Sequence, residues 1–309
     1  MTALPLYTRL IHSDWSTSPR KRWAAAAVKE KTSWRVEAPG RVGDIGLFLI
    51  YLREGRGLTL SGFDFPIGLP ESYGKKTGLG DFCSALNAFG RGPWSNFYNV
   101  ANAADEISIF RPFYPHRSSS TARQVHLIEA HGCGSIEELR RQCERATISR
   151  RAACSLFWTL GGNQVGKAAI SGWKEIICPA RCLGARLWPF EGSLEALAMT
   201  GGLVLAETYP AEAYGHVGVR FAIGESKRRQ NDRAKFAASI LSWAHSNNVV
   251  LAPALVSLID EGFGPMAIGE DAFDTVMGLF GMIEVIDGRR PEGPLRESKW
   301  EGWILGQSE

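Results

Sequence analysis

Five segments of grouped or alternating apolar positions read as β-strands. Residues 7–15 form the first, ending on Asp14, and residues 22–28 the second after a short turn. Residues 34–38 alternate apolar and polar positions as a short third strand, which Pro39-Gly40 breaks. Over residues 42–54, Ile45, Leu47, Phe48, Ile50, Tyr51 and Leu52 fit a helix packed along one side, ended by Gly55 and Gly57. A fourth strand over residues 58–65 carries Asp64, and Pro66 and Pro70 then turn the chain out of the sheet. Residues 71–200 read as loops and helices rich in aromatics and arginine, with the clearest helical pattern over 135–146. GGLVLAE, residues 201–207, is nearly all apolar and reads as a buried strand with Glu207 at its carboxyl end. Helices are predicted over 226–245, 253–260 and 270–286, the last capped by Gly288. A charged tail follows, which Trp300 and Trp303 dock. This order predicts an α/β fold: a mixed five-stranded sheet flanked by helices, with a large helical insert between strands four and five.

The chain of 309 residues fits one elaborated domain, with a core over 1–70 and 200–288, an insert over 71–199 and a tail over 289–309. The net charge of +3 hides an uneven distribution. Residues 111–186 hold 12 Lys/Arg against 5 Asp/Glu, a local excess of +7, so the rest of the chain sums to −4. A basic middle on a mildly acidic frame suits contact with phosphates on one side and cations on another; it also fits a solvated helical face. The six cysteines lack CxxC pairs and read as reduced thiols of a cytoplasmic protein. The opening MTALPLYTRLIHSDW lacks signal-peptide features, and no run approaches about 18 apolar residues, so neither export nor a membrane partner is expected.

Against this frame four places put acids where an α/β sheet builds its site. Asp14, Asp64 and Glu207 fall at predicted strand ends, where ligands of such sheets gather. Asp271 and Asp274 are three apart at a helix start, one turn apart on one face. Acids brought this close repel unless a cation neutralises them, and Mg2+ or Mn2+ prefer oxygen ligands. Two such ions can activate water and stabilise the leaving oxygen of a phosphodiester. Each acid also has a local reading: Asp14 and Asp64 as turn residues, Glu207 as the partner of an arginine, Asp271 and Asp274 as first-turn acids that suit the helix dipole. LGGNQVGK, residues 160–167, lacks the spacing of a phosphate loop.

LIHSDWSTSPRKRWAAAAV resembles the first hairpin of RNase-H-like enzymes, and EDAFDTVMGLFG resembles the helix that supplies the last metal-binding acids of the Holliday-junction resolvase branch. Together with GFDFPIGLP, AETYPAEAYG and the closing EGWILG, these blocks resemble the domain of unknown function 429 family, described as predicted nucleases of RNase H fold. The resemblance implies a metal-dependent nuclease. Asp14 would bridge the metals, Asp64 would be the fourth-strand acid, and Asp271 or Asp274 would complete the shell, with Glu207 matching the fifth-strand block. The insert of well over a hundred residues departs from the resolvase pattern. Lys227, Arg228, Arg229 and Arg233 at one helix start, and Arg150 and Arg151 on the insert, are candidates to hold a DNA or RNA backbone. The competing reading is a non-catalytic nucleic-acid or protein-binding module that keeps the fold. An actin-like kinase would need a glycine-rich turn after strand one, and DWSTSPRKR has none.

Overall fold

The computed structural model describes residues 7–55, 57–118, 121–148, 150–160, 165–294 and 299–309. Among the described residues, eight strands make one mixed sheet: β1 (Tyr7–Asp14), β2 (Trp23–Glu30), β3 (Ser33–Val36), β4 (Gly40–Arg41), β5 (Leu58–Phe63), β6 (Arg186–Leu187), β7 (Leu203–Glu207) and β8 (Val249–Leu251). Their order across the sheet is β6-β7-β5-β1-β2-β3-β8, with β4 also paired to β2. The β1-β2 and β2-β3 pairs are antiparallel, while β5, β7 and β6 continue parallel from β1 and β8 lies parallel to β3. The α/β class and mixed sheet thus match the sequence, but the sheet has eight strands rather than five. The additional β4, β6 and β8 have only two or three residues each, too short for an apolar period to register.

The chain divides into two compact units. One takes in residues up to 64, 180–293 and 304–308; the other takes in 65–179, 294–303 and 309. The sheet belongs wholly to the first. Its middle strands β5 and β7 are buried at every residue, as strands covered on both faces are; LVLAE is apolar up to its final Glu207, while β5, LTLSGF, buries the small polar Thr59 and Ser61 among its apolar residues. The helix Met266–Ile286 packs on β1 and β2. It approaches closely because it presents glycine: a Cβ on Gly278 would lie 2.2 Å from Nε2 of the buried His12. The helix Ile45–Arg53 lies on the other face. Asp44 caps it by accepting from Leu47 N–H at 2.9 Å, and Arg9 donates to the carbonyls of Tyr51 (2.6 Å) and Glu54 (2.8 Å) at its end.

The second unit has an aromatic core, with Phe97 stacked on Phe89 and in ring contact with Phe113 and Trp173. The helix expected over residues 135–146 is two short 3-10 turns, Ile136–Leu139 and Gln142–Glu144. The backbone at Arg140 and Arg141 is extended (ψ 140° and 160°). That bend lets the buried Arg141 guanidinium reach Glu144 at 2.9 Å and the carbonyls of Ile67 and Glu301 at 3.3 and 3.1 Å. Burying a guanidinium demands partners, and this need overrides the local helical pattern. Trp300 and Trp303 are both buried, as expected. Among the described residues, no helix is long and apolar enough to cross a membrane.

Candidate functional site

Register brings the first two acids together. Ser13 pairs with Phe63 in the parallel β1-β5 ladder, so Asp14 and Asp64 are the next neighbours across it. Asp64 N–H reaches the Ser13 carbonyl at 3.4 Å, and the Asp64 carboxylate accepts from Trp15 N–H at 2.6 Å. The two carboxyl groups hydrogen-bond to each other. Burial first, then the Asp64 charge and hydrogen bond, push Asp14 well above the usual carboxylate range; Asp274 and Asp271 add to the push. Burial also raises Asp64, against the hydrogen bonds from Asp14 and the Trp15 amide. Burial penalises the charged form of both carboxyl groups, so each is pushed toward its protonated form.

The long helix delivers the other two. Gly278 lies over His12, and from there one helical turn back (about 6 Å) reaches Asp274, while two residues along β1 (about 6.6 Å) reach Asp14 on the same face. Asp271 is a further turn back. The buried Asp274 accepts from the Tyr214 hydroxyl and from Lys227 Nζ, the latter at 2.5 Å. Burial raises its proton affinity in spite of both donors. Asp271, half-buried, is pushed up to about 6 by burial, with Glu270 and Asp274 adding to it and Lys21 and Arg41 opposing. Lys227 is held above the usual lysine range: burial opposes its charge, but Asp274, Glu270 and Asp14 together prevail.

The fifth acid is elsewhere. Glu207 pairs with Phe63, and residues alternate between faces along a strand, so Glu207 lies on the face opposite Asp64. A Cβ on Gly62 would meet Thr208 Cγ2 at 2.5 Å and Met282 Sδ of the long helix at 2.8 Å, which assigns Thr208, not Glu207, to the helix-covered face. Four of the five expected acids therefore converge and one does not. Among the described residues, no three His, Cys, Asp or Glu side chains stand ready to ligate a metal ion. Asp274 is met instead by the Lys227 ammonium and the Tyr214 hydroxyl.

The basic candidates scatter. Lys227 is engaged with Asp274 and lies 3.4 Å from Glu270. Arg229 pairs with Asp232 at 2.6 Å, and Arg228, three-quarters exposed, lies 3.6 Å from Glu270. Arg233 is fully buried, donating to the Gly262 carbonyl at 2.9 Å and to those of Lys227 and Gly264, so it holds loops together and cannot face a polyanion. The helix expected over 226–245 is two helices, Gln230–Ala234 and Ala237–Ser246. Asp232 draws the Ser226 amide (3.0 Å) into a turn ahead of them. Arg150 and Arg151 belong to the second unit; Arg151 is exposed, and Arg150 donates to the Cys143 carbonyl at 3.4 Å. Residues 161–164 of LGGNQVGK lie outside the described residues.

Sequence reasoning missed Tyr214 and Glu270. Glu270 stands four residues before Asp274 in EDAFD, a spacing that already puts both on one helix face. Nothing local links Tyr214 to an acid 60 residues away. A groove of about 730 Å3, lined in part by Ala26, Val28, Leu47 and Tyr51, contains none of the acids. Compared with protein-family models, with curated proteins and with solved structures, the chain finds no match in any of the three.

Proposed function

We propose that this chain is an RNase-H-like protein, similar to the domain of unknown function 429 family, that hydrolyses phosphodiester bonds of nucleic acid using Mg2+ or Mn2+. The carrying observation is that Asp14, Asp64, Asp271 and Asp274, from three separate elements, gather at the carboxyl ends of two parallel strands, close enough that the charges of the other three all raise the proton affinity of Asp14. Such an arrangement is costly without a cation, and an all-carboxylate set is the donor chemistry that hard divalent ions take. The order of three strands, helix, fourth strand, insert and fifth long strand further supports the fold reading.

Asp14 lies between Asp64 and the helix acids in this network and would be shared between ions. Bound divalent ions would supply an activated water and a stabilised leaving oxygen. Tyr214 and Lys227 orient the Asp274 carboxylate, and Trp15 N–H orients that of Asp64. The exposed Arg228 and the cations Lys21 and Arg41 beside Asp271 would meet the phosphate backbone.

The test is calorimetric titration of Mn2+ into the wild type, Asp14→Asn and Asp64→Asn, followed by a panel of single- and double-stranded DNA and RNA. One or two ions bound by the wild type and lost in both variants, with metal-dependent cleavage, is the expected result. A wild type that binds no ion under any condition, substrate included, overturns the nuclease reading.

A second reading is favoured by one observation: the Lys227 ammonium already neutralises Asp274. A protein that has replaced its metal with a lysine would be a non-catalytic nucleic-acid or protein-binding module. It would bind its partner equally well in chelator and in Mn2+.

A further inference from the structure

We infer that Lys227 is a displaceable internal cation, held on Asp274 until a divalent ion takes the acids and then handed to Glu270. This rests on the reading of the acids as a metal site. Three features of the lysine's setting carry it.

The first is that Lys227 has two carboxylates within reach and they differ in depth. Nζ lies 2.5 Å from Asp274 Oδ2 and 3.4 Å from Glu270 Oε1. The Asp274 side chain is 9% exposed and that of Glu270 20%. They stand four residues apart on one helix, so a swing between them is one turn along the same face. The second is that the movable part is confined to the side chain. The Lys227 carbonyl accepts from Arg233 Nη1, whose guanidinium is buried and also bonded to Gly262 and Gly264. The anchor fixes the backbone, while the lysine side chain, 39% exposed, keeps its outer reach.

The third is charge balance. The buried Asp274 is covered by an ammonium and a phenol. The charge on this one carboxylate is thereby met without a metal. A divalent ion arriving at Asp14, Asp64 and Asp274 brings positive charge to within a few ångströms of Nζ, where like charges repel strongly. Glu270 gives the lysine an anionic destination, so displacement costs no unpaired charge. Lys227 therefore sets the affinity of the site, keeping it closed to metal at low concentration.

The test is calorimetric titration of Mn2+ into the full chain and into Lys227→Gln, Glu270→Gln and Arg228→Gln, with near-ultraviolet circular dichroism to verify folding. Lys227→Gln should bind Mn2+ about tenfold more tightly. Glu270→Gln, which removes the destination, should bind several-fold more weakly and serves as the decisive variant should Lys227→Gln misfold. Arg228→Gln removes a neighbouring positive charge that does not reach Asp274, and should change affinity less than twofold. The inference is overturned if Lys227→Gln binds no more tightly than the wild type, or if Arg228→Gln tightens binding as much, since general electrostatics would then suffice. If neither the wild type nor any variant binds an ion, the metal-site reading falls first and this inference with it.

Discussion

Asp271 holds its proton up to about pH 6, chiefly because burial penalises its charge. An unfolded chain releases the same proton near the ordinary carboxylate value of 3.8. Between those values the native state binds more protons than the unfolded state, so stability from this group is full below about pH 4 and is lost as pH rises through 6. Asp271→Asn escapes that loss. Discounted for its partial exposure, the variant should exceed the wild type by on the order of 1 kcal/mol at pH 7 and by little at pH 4.5. Urea denaturation at the two pH values measures the gap, and a gap of equal size at both would show that the proton is not held. The Asp14–Asp64 pair acts in the same direction. Any divalent ion must displace these protons, so Mn2+ affinity should climb between pH 5 and 7, roughly tenfold per unit for each proton released. Calorimetry in buffers of different ionisation enthalpy counts those protons directly.

The helix Met266–Ile286 positions two of the four acids, and Gly278 fixes how near it comes. Gly278→Ala places a methyl group 2.2 Å from the His12 ring. Overpacking of this kind costs about 1–3 kcal/mol and pushes the helix outward. The expected result is a lowered denaturation midpoint together with weaker Mn2+ binding, although no acid has changed. Loss of stability with unchanged metal affinity would mean that the helix does not set the acids' spacing. The turn before Gln230–Ala234 offers a contrast between two arginines. Arg233→Ala leaves three carbonyls without their donor and should cost about 3 kcal/mol, whereas Arg228→Ala, on an exposed side chain, should stay within about 0.5 kcal/mol. Guanidinium denaturation of both variants checks the pair.

Across the whole molecule, what the sequence made legible is what local pattern encodes. The five longer strands, the helix ended by Gly55, the long helix and the acids at strand ends all have a period or a punctuating residue behind them. Glu207 shows where that signal stops: its place at a strand end is local, but its face depends on register with Phe63, which another segment decides. The non-helical 135–146 and the Tyr214–Asp274 bond likewise depend on partners far along the chain. The last residues are of this kind too. Glu301 accepts from the amides of Glu71 (3.2 Å) and Gln142 (2.9 Å) within one unit, and the Leu305 amide bonds the Glu207 carbonyl (2.8 Å) within the other. A chain cut after Pro294 should therefore fail to reach a protease-resistant state, which limited trypsin digestion would reveal. The same threading makes time matter during biosynthesis. Strand β5 is complete at residue 63, but its parallel neighbour β7 begins at residue 203 and the closing segment runs to 308. At about 5–20 residues per second, a ribosome takes roughly seven to thirty seconds to travel from residue 63 to residue 203. For that interval an apolar strand waits with an open edge, and a cell making this protein must shield it from its neighbours on the polysome.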